Sequence, residues 1–182
     1  IYVQEKNGTS TYTTTYAWTP DDALATTTDA LRNIRRFTYD GLGRRLSAED
    51  LHTRTDTTYG VWKYAYDDAG NRATTTDPKN QVVFVTYDAL NRPLSENFTG
   101  LSGVEVKYTY DTCTNGKGYL CVTYIEGATT TRIYTPSGQV ATEIKGIDRI
   151  SFLQNYSYNF QDNQVRIVYP DSSDVLYTYN TA

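Results

Sequence analysis

Methionine is absent from this 182-residue chain, histidine occurs once, and cysteine twice. Each scarcity excludes something. One histidine and two cysteines cannot build a closed zinc site, and no Gly-x4-Gly-Lys-Ser/Thr phosphate loop is present. The longest apolar run is Val82-Val83-Phe84-Val85, whereas a membrane-spanning helix needs about 20 apolar residues. Positive charge is not in excess: the net charge is −4 and the pI near 5.0. A weakly acidic chain has no general attraction for nucleic acid or anionic membrane, so neither is expected as a partner. No basic stretch followed by an apolar one opens the chain, so no signal peptide is read there. A start at Ile1 without methionine reads as an excerpt or a processed piece of a longer product.

Tyrosine occurs 18 times, and threonine is more frequent still. These types favour pleated, half-buried strands over helices, and 14% aromatics is too many for a disordered chain. Their placement is periodic. An aromatic-x-aromatic unit recurs as Tyr16-Ala17-Trp18, Phe37-Thr38-Tyr39, Tyr64-Ala65-Tyr66, Val85-Thr86-Tyr87, Tyr108-Thr109-Tyr110, Tyr156-Ser157-Tyr158 and Tyr177-Thr178-Tyr179, with a degenerate copy ending at Tyr134. The units follow one another at intervals of about 23 residues, and such a period marks a repeat architecture. It leaves no room for a separate catalytic domain. Residues 1–182 therefore read as a single array of about seven repeats.

Turn chemistry follows each aromatic. In Tyr39-Asp40-Gly41-Leu42-Gly43, Tyr66-Asp67-Asp68-Ala69-Gly70 and Tyr87-Asp88-Ala89-Leu90-Asn91, the aspartate opens the turn. A Gly or Asn stands three positions on, where positive φ is expected. Asp111 occupies the same place after Tyr110, and Tyr134-Thr135-Pro136-Ser137-Gly138 is a shorter version. A second turn is expected at mid-period, at Thr28-Asp29-Ala30-Leu31, Thr76-Asp77-Pro78-Lys79-Asn80, Gly100-Leu101-Ser102-Gly103 and Tyr169-Pro170-Asp171-Ser172. Two turns per period leave two strands of ordinary length, so the fold expected is all-β, an antiparallel meander. Alternation agrees: Val104, Val106, Tyr108 and Tyr110 share one parity, as do Trp62, Tyr64 and Tyr66. Aromatics of neighbouring strands should then form ladders. Val82–Tyr87, apolar on both faces, suggests a strand that something covers. A helix over 21–36, capped by Asp21, is the competing reading; Thr26–Thr28 are poor helix formers and argue against it.

Candidate chemistry yields bland readings. His52 would have to serve any Ser-His-Asp or Cys-His site, but Leu51-His52-Thr53 carries no nucleophile elbow, so it reads as an exposed or strand histidine. Paired carboxylates of a glycosidase are conceivable, yet turn formation accounts for Asp40, Asp67, Asp88 and Asp111 alike. No catalytic residue, cofactor or metal is assigned, calcium at Asp67-Asp68 or Asp21-Asp22 being conceivable only. Cys113 and Cys121 flank an enlarged turn containing Asn115-Gly116, a hairpin signal. They either face each other as a disulfide or stand as free thiols in strands. Three Asn-x-Ser/Thr sequons, at Asn7, Asn97 and Asn155, are expected by chance in a chain of this composition. Arg35-Arg36, Arg44-Arg45 and Arg72 are expected to pair with turn aspartates.

The run Thr28-Asp29-Ala30-Leu31-Arg32-Asn33 followed by Phe37-Thr38-Tyr39-Asp40-Gly41-Leu42-Gly43-Arg44 resembles the RHS/YD-repeat family. Tyr87-Asp88-Ala89-Leu90-Asn91-Arg92-Pro93-Leu94 is similar, with Asn91 where the family usually has Gly. The repeat signature is carried by Trp18, Tyr39, Asp40, Gly43, Tyr66, Asp67, Gly70, Tyr87, Asp88, Tyr110, Asp111, Tyr134, Gly138, Tyr158 and Tyr179. The resemblance covers about residues 16–180. It implies a β-sheet strip spiralling into a hollow shell, as in Rhs polymorphic toxins, Tc toxin shells, wall-associated proteins and the related teneurin barrel. It implies an exported bacterial protein, secreted or on the cell surface. Its partners would be a cargo polypeptide such as a toxin domain, or other shell segments of the same chain. A tyrosine-rich adhesin binding glycans is the alternative. The DPxGLxGG-type core motif of many members is missing, so the cleavage site and toxin are expected outside this stretch, or not at all.

Overall fold

The computed structural model describes residues 1–98 and 104–180. The expected turn at Gly100-Leu101-Ser102-Gly103 lies outside the described residues. Every regular element among the described residues is a strand; the helix weighed over 21–36 is instead strand, turn and strand.

The chain forms two compact units, one holding residues 1–85 and Phe98 and the other residues 86–97 and those from 104 on. The first contains β1 (Tyr2–Asn7), β2 (Ser10–Trp18), β3 (Leu24–Thr28), β4 (Ile34–Tyr39), β5 (Arg45–Glu49), β6 (Val61–Tyr66), β7 (Arg72–Thr76) and most of β8 (Val82–Tyr87). Strands β1 to β8 pair antiparallel in chain order. The second contains most of β9 (Pro93–Phe98), with β10 (Val106–Tyr110), β11 (Leu120–Ile125), β12 (Ala128–Tyr134), β13 (Val140–Ile147), β14 (Ile150–Tyr158), β15 (Gln164–Val168) and β16 (Asp174–Leu176). It is likewise an antiparallel meander from β9 to β16. Consecutive pairing follows from the short turns, which can only return the chain beside the strand it left.

The turns share one geometry. In the Asp40 turn, Asp40 N–H donates to the Arg44 carbonyl at 2.9 Å and Gly43 N–H to the Asp40 carbonyl at 3.0 Å. The same two bonds recur in the turns opened by Thr19, Asp29, Asp67, Asp77, Asp88, Thr135, Asn159 and Tyr169. The fourth residue of each is left-handed: Asp22, Arg32, Gly43, Gly70, Asn80, Asn91, Gly138, Asp162 and Ser172 all have φ between 59° and 90°. Turns after the aromatic pairs and turns at mid-period are thus one device. Arg32 and Ser172 meet its backbone demand at a cost that glycine would avoid.

Packing is thin. Among the described residues the buried apolar side chains are Ile34, Ala48, Cys121, Tyr134 and Ile167. Within each unit the strands touch their chain neighbours. Phe84, on the face of β8 opposite Val83, Val85 and Tyr87, is 48% exposed. Stability therefore comes from neighbour-to-neighbour terms, each small, and turn geometry weighs more than in a domain with a thick core. Gly43 tests this, because nothing lies within 4 Å of where its Cβ would stand. Gly43→Ala should cost about 1–2 kcal/mol in chemical denaturation through φ alone. Gly41→Ala, equally uncrowded but without positive φ, should cost nothing.

Candidate functional site

The aromatic that closes each pair sits at a break in register. The pairing slips between Ala17 and Trp18, Thr38 and Tyr39, Ala65 and Tyr66, Thr109 and Tyr110, Ile133 and Tyr134, and Ser157 and Tyr158. In every case the following strand carries the extra residue: Ala25, Leu46, Ala73, Cys121, Ala141 and Val165. These are β-bulges, which bend the bulged strand and increase its twist. Nothing in the aromatic spacing announces them; the one clue is that the turn plus bulge makes the return strand one residue longer than simple alternation needs.

The bulge gives the tyrosine a second task. Tyr39 pairs with Arg45, and the hydroxyl of Tyr66 donates to the Arg45 carbonyl at 2.8 Å. Trp18 pairs with Leu24, whose carbonyl accepts from Tyr39 at 2.9 Å. In the second unit, Tyr134 reaches Leu120, the partner of Tyr110, at 2.7 Å. Tyr158 reaches Val140, the partner of Tyr134, at 2.9 Å, and Tyr179, beyond β16, reaches Gln164, the partner of Tyr158, at 2.7 Å. Each of these hydroxyls satisfies a carbonyl at the bulge of the preceding period. Burial pushes the Tyr134 and Tyr158 hydroxyls above their ordinary pKa, so they remain donors throughout the physiological range. Tyr87 ends β8 and is followed by the Asp88 turn.

Beside four rings of the aromatic pairs lie guanidinium groups. Arg44 lies 4.7 Å from the Tyr66 ring centroid, Arg45 4.7 Å from Phe37, Arg72 5.8 Å from Tyr64 and Arg92 4.3 Å from Tyr110. A cation over a ring face is favourable, by about 0.5–1 kcal/mol at exposed sites. Arg44 and Arg92 also bond the aspartate of their own turn, Asp40 and Asp88, at 2.7 Å each. Arg92 further bonds Asp111 at 2.7 Å, which joins two successive periods. Arg36 pairs with Glu49 instead of a turn aspartate.

The aspartates are fully engaged. Asp40 Oδ1 accepts from the N–H groups of Leu42 and Arg44, and Asp88 Oδ1 from those of Leu90 and Arg92. Asp67 accepts from the backbone and side-chain amides of Asn71. Burial pushes the Asp40 carboxyl up, but the Arg44 side chain and the turn N–H groups bring it below its ordinary value. Asp67 is lowered chiefly by Asn71, and Asp88 chiefly by the Arg92 N–H. Asp111 differs from these three. It has φ 68° itself, its N–H donates to the Tyr119 carbonyl, and its carboxylate accepts from Gly118 and Arg92. The enlarged turn there is closed by the Cys113–Cys121 disulfide, with Cα atoms 5.5 Å apart. A Cβ at Gly116 would collide with both sulfurs. Tyr119 stacks on Tyr134 with centroids 4.6 Å apart, and a Cβ at Gly138 would collide with the Tyr119 hydroxyl. His52 is neither exposed nor within a strand run; it is buried and forms an isolated bridge with Ile34. Among the described residues no group of three or more His, Cys, Asp or Glu is placed to hold a metal ion.

No known family profile matches the sequence, and no curated protein matches it. Solved structures do. A chain of the crystal structure of TcdB2-TccC3 is similar, with a TM-score of 0.74 and 16% identity over 93% of this chain and 10% of that one. The complex TcdB2-TccC3-Cdc42 gives 0.73 and 18% over 89% of this chain and 9% of that one. The Photorhabdus luminescens Tc holotoxin pore gives 0.71 and 18% over 87% and 9%. The chain therefore has the strand-and-turn fold of a stretch of these proteins and spans about a tenth of their length. That agrees, at the level of fold, with the resemblance carried by the Tyr-Asp turns.

Two outcomes test the repeat chemistry. Tyr134→Phe should lose about 1 kcal/mol in chemical denaturation, since it removes one hydrogen bond and leaves the Leu120 carbonyl without it. The turn carboxylates have folded pKa values below the ordinary 3.8, so their contribution is present above that value and lost as pH falls through the depressed ones. Acid titration followed by circular dichroism should show a plateau at neutral pH and unfolding only below about pH 4.

Proposed function

We propose that this chain is a structural segment of a shell built from YD repeats, in an exported bacterial protein, and that the shell encloses or presents a C-terminal toxin or effector polypeptide. The observation that carries the reading is the link repeated along both units, in which a tyrosine hydroxyl ties one period to the bulge of the period before. A sheet held together this way can be extended indefinitely by adding periods, and a bulge at the same place in each period bends it consistently. Both are what a container wall requires. The likeness in fold to Tc toxin chains supports the same role. Residues 1–182 then act as one repeat array whose partners are neighbouring shell segments and the enclosed cargo.

An enzymatic role has no support in the side chains. The carboxylates best placed to attract attention are consumed by turns, and His52 has both ring nitrogens engaged. A glycan-binding role has little more, because five of the signature tyrosines have their hydroxyls tied to backbone and the rings of Tyr66 and Tyr110 are faced by arginines.

The test uses the intact parent protein. Limited proteolysis should leave the region C-terminal to the repeats protected, and substitutions of Tyr66 and Tyr134 to Ala together should expose it to cleavage. A C-terminal region that is cut freely in the unaltered parent, or that is active without release, would overturn the containment reading.

A further inference from the structure

The interval from Tyr39 to Tyr66 is the longest between successive aromatic units, and its excess lies in the loop 50–60 between β5 and β6. The loop is closely held. The His52 N–H donates to the Ile34 carbonyl at 3.0 Å, and the His52 carbonyl accepts from Ile34 N–H at 2.7 Å. The imidazole, its side chain 3% exposed, stacks on Tyr59 with centroids 3.7 Å apart and planes within 5°. Asp50 N–H donates to the Gly60 carbonyl, and the Asp50 carboxylate accepts from Trp62 Nε1 at 3.2 Å. A Cβ at Gly60 would collide with Asp50 and Pro78.

The imidazole has an oxygen at each nitrogen. Nε2 is 3.0 Å from Glu49 Oε2, and Nδ1 is 2.8 Å from the Thr53 carbonyl. The carbonyl has no proton to give. Glu49 receives Arg36 at Oε2 (3.3 Å) and the Tyr59 hydroxyl at Oε1 (3.4 Å), so it too is an acceptor. Both ring nitrogens must therefore donate, and only the doubly protonated imidazolium does so. A neutral ring in this place would set a lone pair against an oxygen.

We propose that loop 50–60 is a proton-operated clasp, pinned to β4 and β5 while His52 carries its charge and loosened when that proton leaves. The groups that face the ring are Glu49 from β5, Arg36 from β4, and the Tyr59 hydroxyl and Asp56 from the loop; Glu49 and Asp56 favour the charge and Arg36 opposes it. The bond to Glu49 is the main cause that raises the His52 pKa above 6.5, with burial working against it. For Glu49, burial raises the pKa and is outweighed by His52 and Arg36, which leave it lowered. The His52 contribution is complete below the ordinary histidine value and lost as pH rises through the raised one. That of Glu49 is complete above the ordinary carboxylate value and lost as pH falls through the lowered one. The clasp is closed at mildly acidic pH and opens as pH rises through the raised His52 value.

A single histidine makes the test clean. In a proton NMR titration of the 182-residue chain, the His52 ring resonances should shift with a midpoint above 6.5. Across that midpoint, hydrogen-exchange protection of the amides of 52–58 should fall by about tenfold for each unit of displacement, while that of β12 and β13 stays level. Glu49→Gln should lower the midpoint, and His52→Gln should remove the step in protection. A midpoint at or below 6.5 in the unaltered chain, or loop protection that ignores the midpoint, would overturn the proposal. Neither of these two readouts depends on a variant folding.

Discussion

One bond governs this architecture, the donation of a tyrosine hydroxyl to a backbone carbonyl at the bulge of the preceding period. A bulge interrupts the ladder and leaves peptide groups that the neighbouring strand cannot serve. In a sheet with few buried residues those groups would fall to solvent, and the bend would be free to relax. The hydroxyls of Tyr39, Tyr66, Tyr134, Tyr158 and Tyr179 hold them in place. Phenylalanine would supply the same ring area and none of this. The chain's 18 tyrosines against 5 phenylalanines have their physical reason here.

Around that bond the remaining terms are modest and repeated. The arginine that closes a turn bonds the turn's aspartate and lies over the aromatic of the next period, so one side chain serves a turn and an inter-period contact. Arg44 does this for Asp40 and Tyr66, and Arg92 for Asp88 and Tyr110. The disulfide loop replaces this arrangement at Asp111, whose carboxylate reaches the Gly118 N–H across a longer turn. Covalent closure, the Tyr119–Tyr134 stack and the Asn115 bond to the Tyr134 carbonyl serve instead.

Strands and turns were readable in the residues because each is a local matter. Alternation in Trp62–Tyr66 decides a face, and Gly43, Gly70 and Asn91 sit where the backbone turns left-handed. Arg32, Asp22 and Ser172 take the same conformation without advertising it, since the two flanking bonds impose it on whatever residue is present. Three features stayed hidden, and all are relations between distant residues. The bulges depend on a partner strand. The tyrosine hydroxyls reach back 14 to 21 residues to a carbonyl, which carries no side-chain signature. His52 looked idle because its surroundings, Ile34 and Arg36 before it and Tyr59 after it, converge only when the loop folds back on β4.

The direction of the tyrosine bond bears on time as well as on space. Every one of these hydroxyl donors lies C-terminal to its acceptor, so each period is finished by chain that is synthesised later and by nothing that is synthesised earlier. Where the bond is made, a bulge is therefore sealed only once the following period has emerged. The sheet can thus be tied in the order in which its residues are synthesised, one period behind the newest.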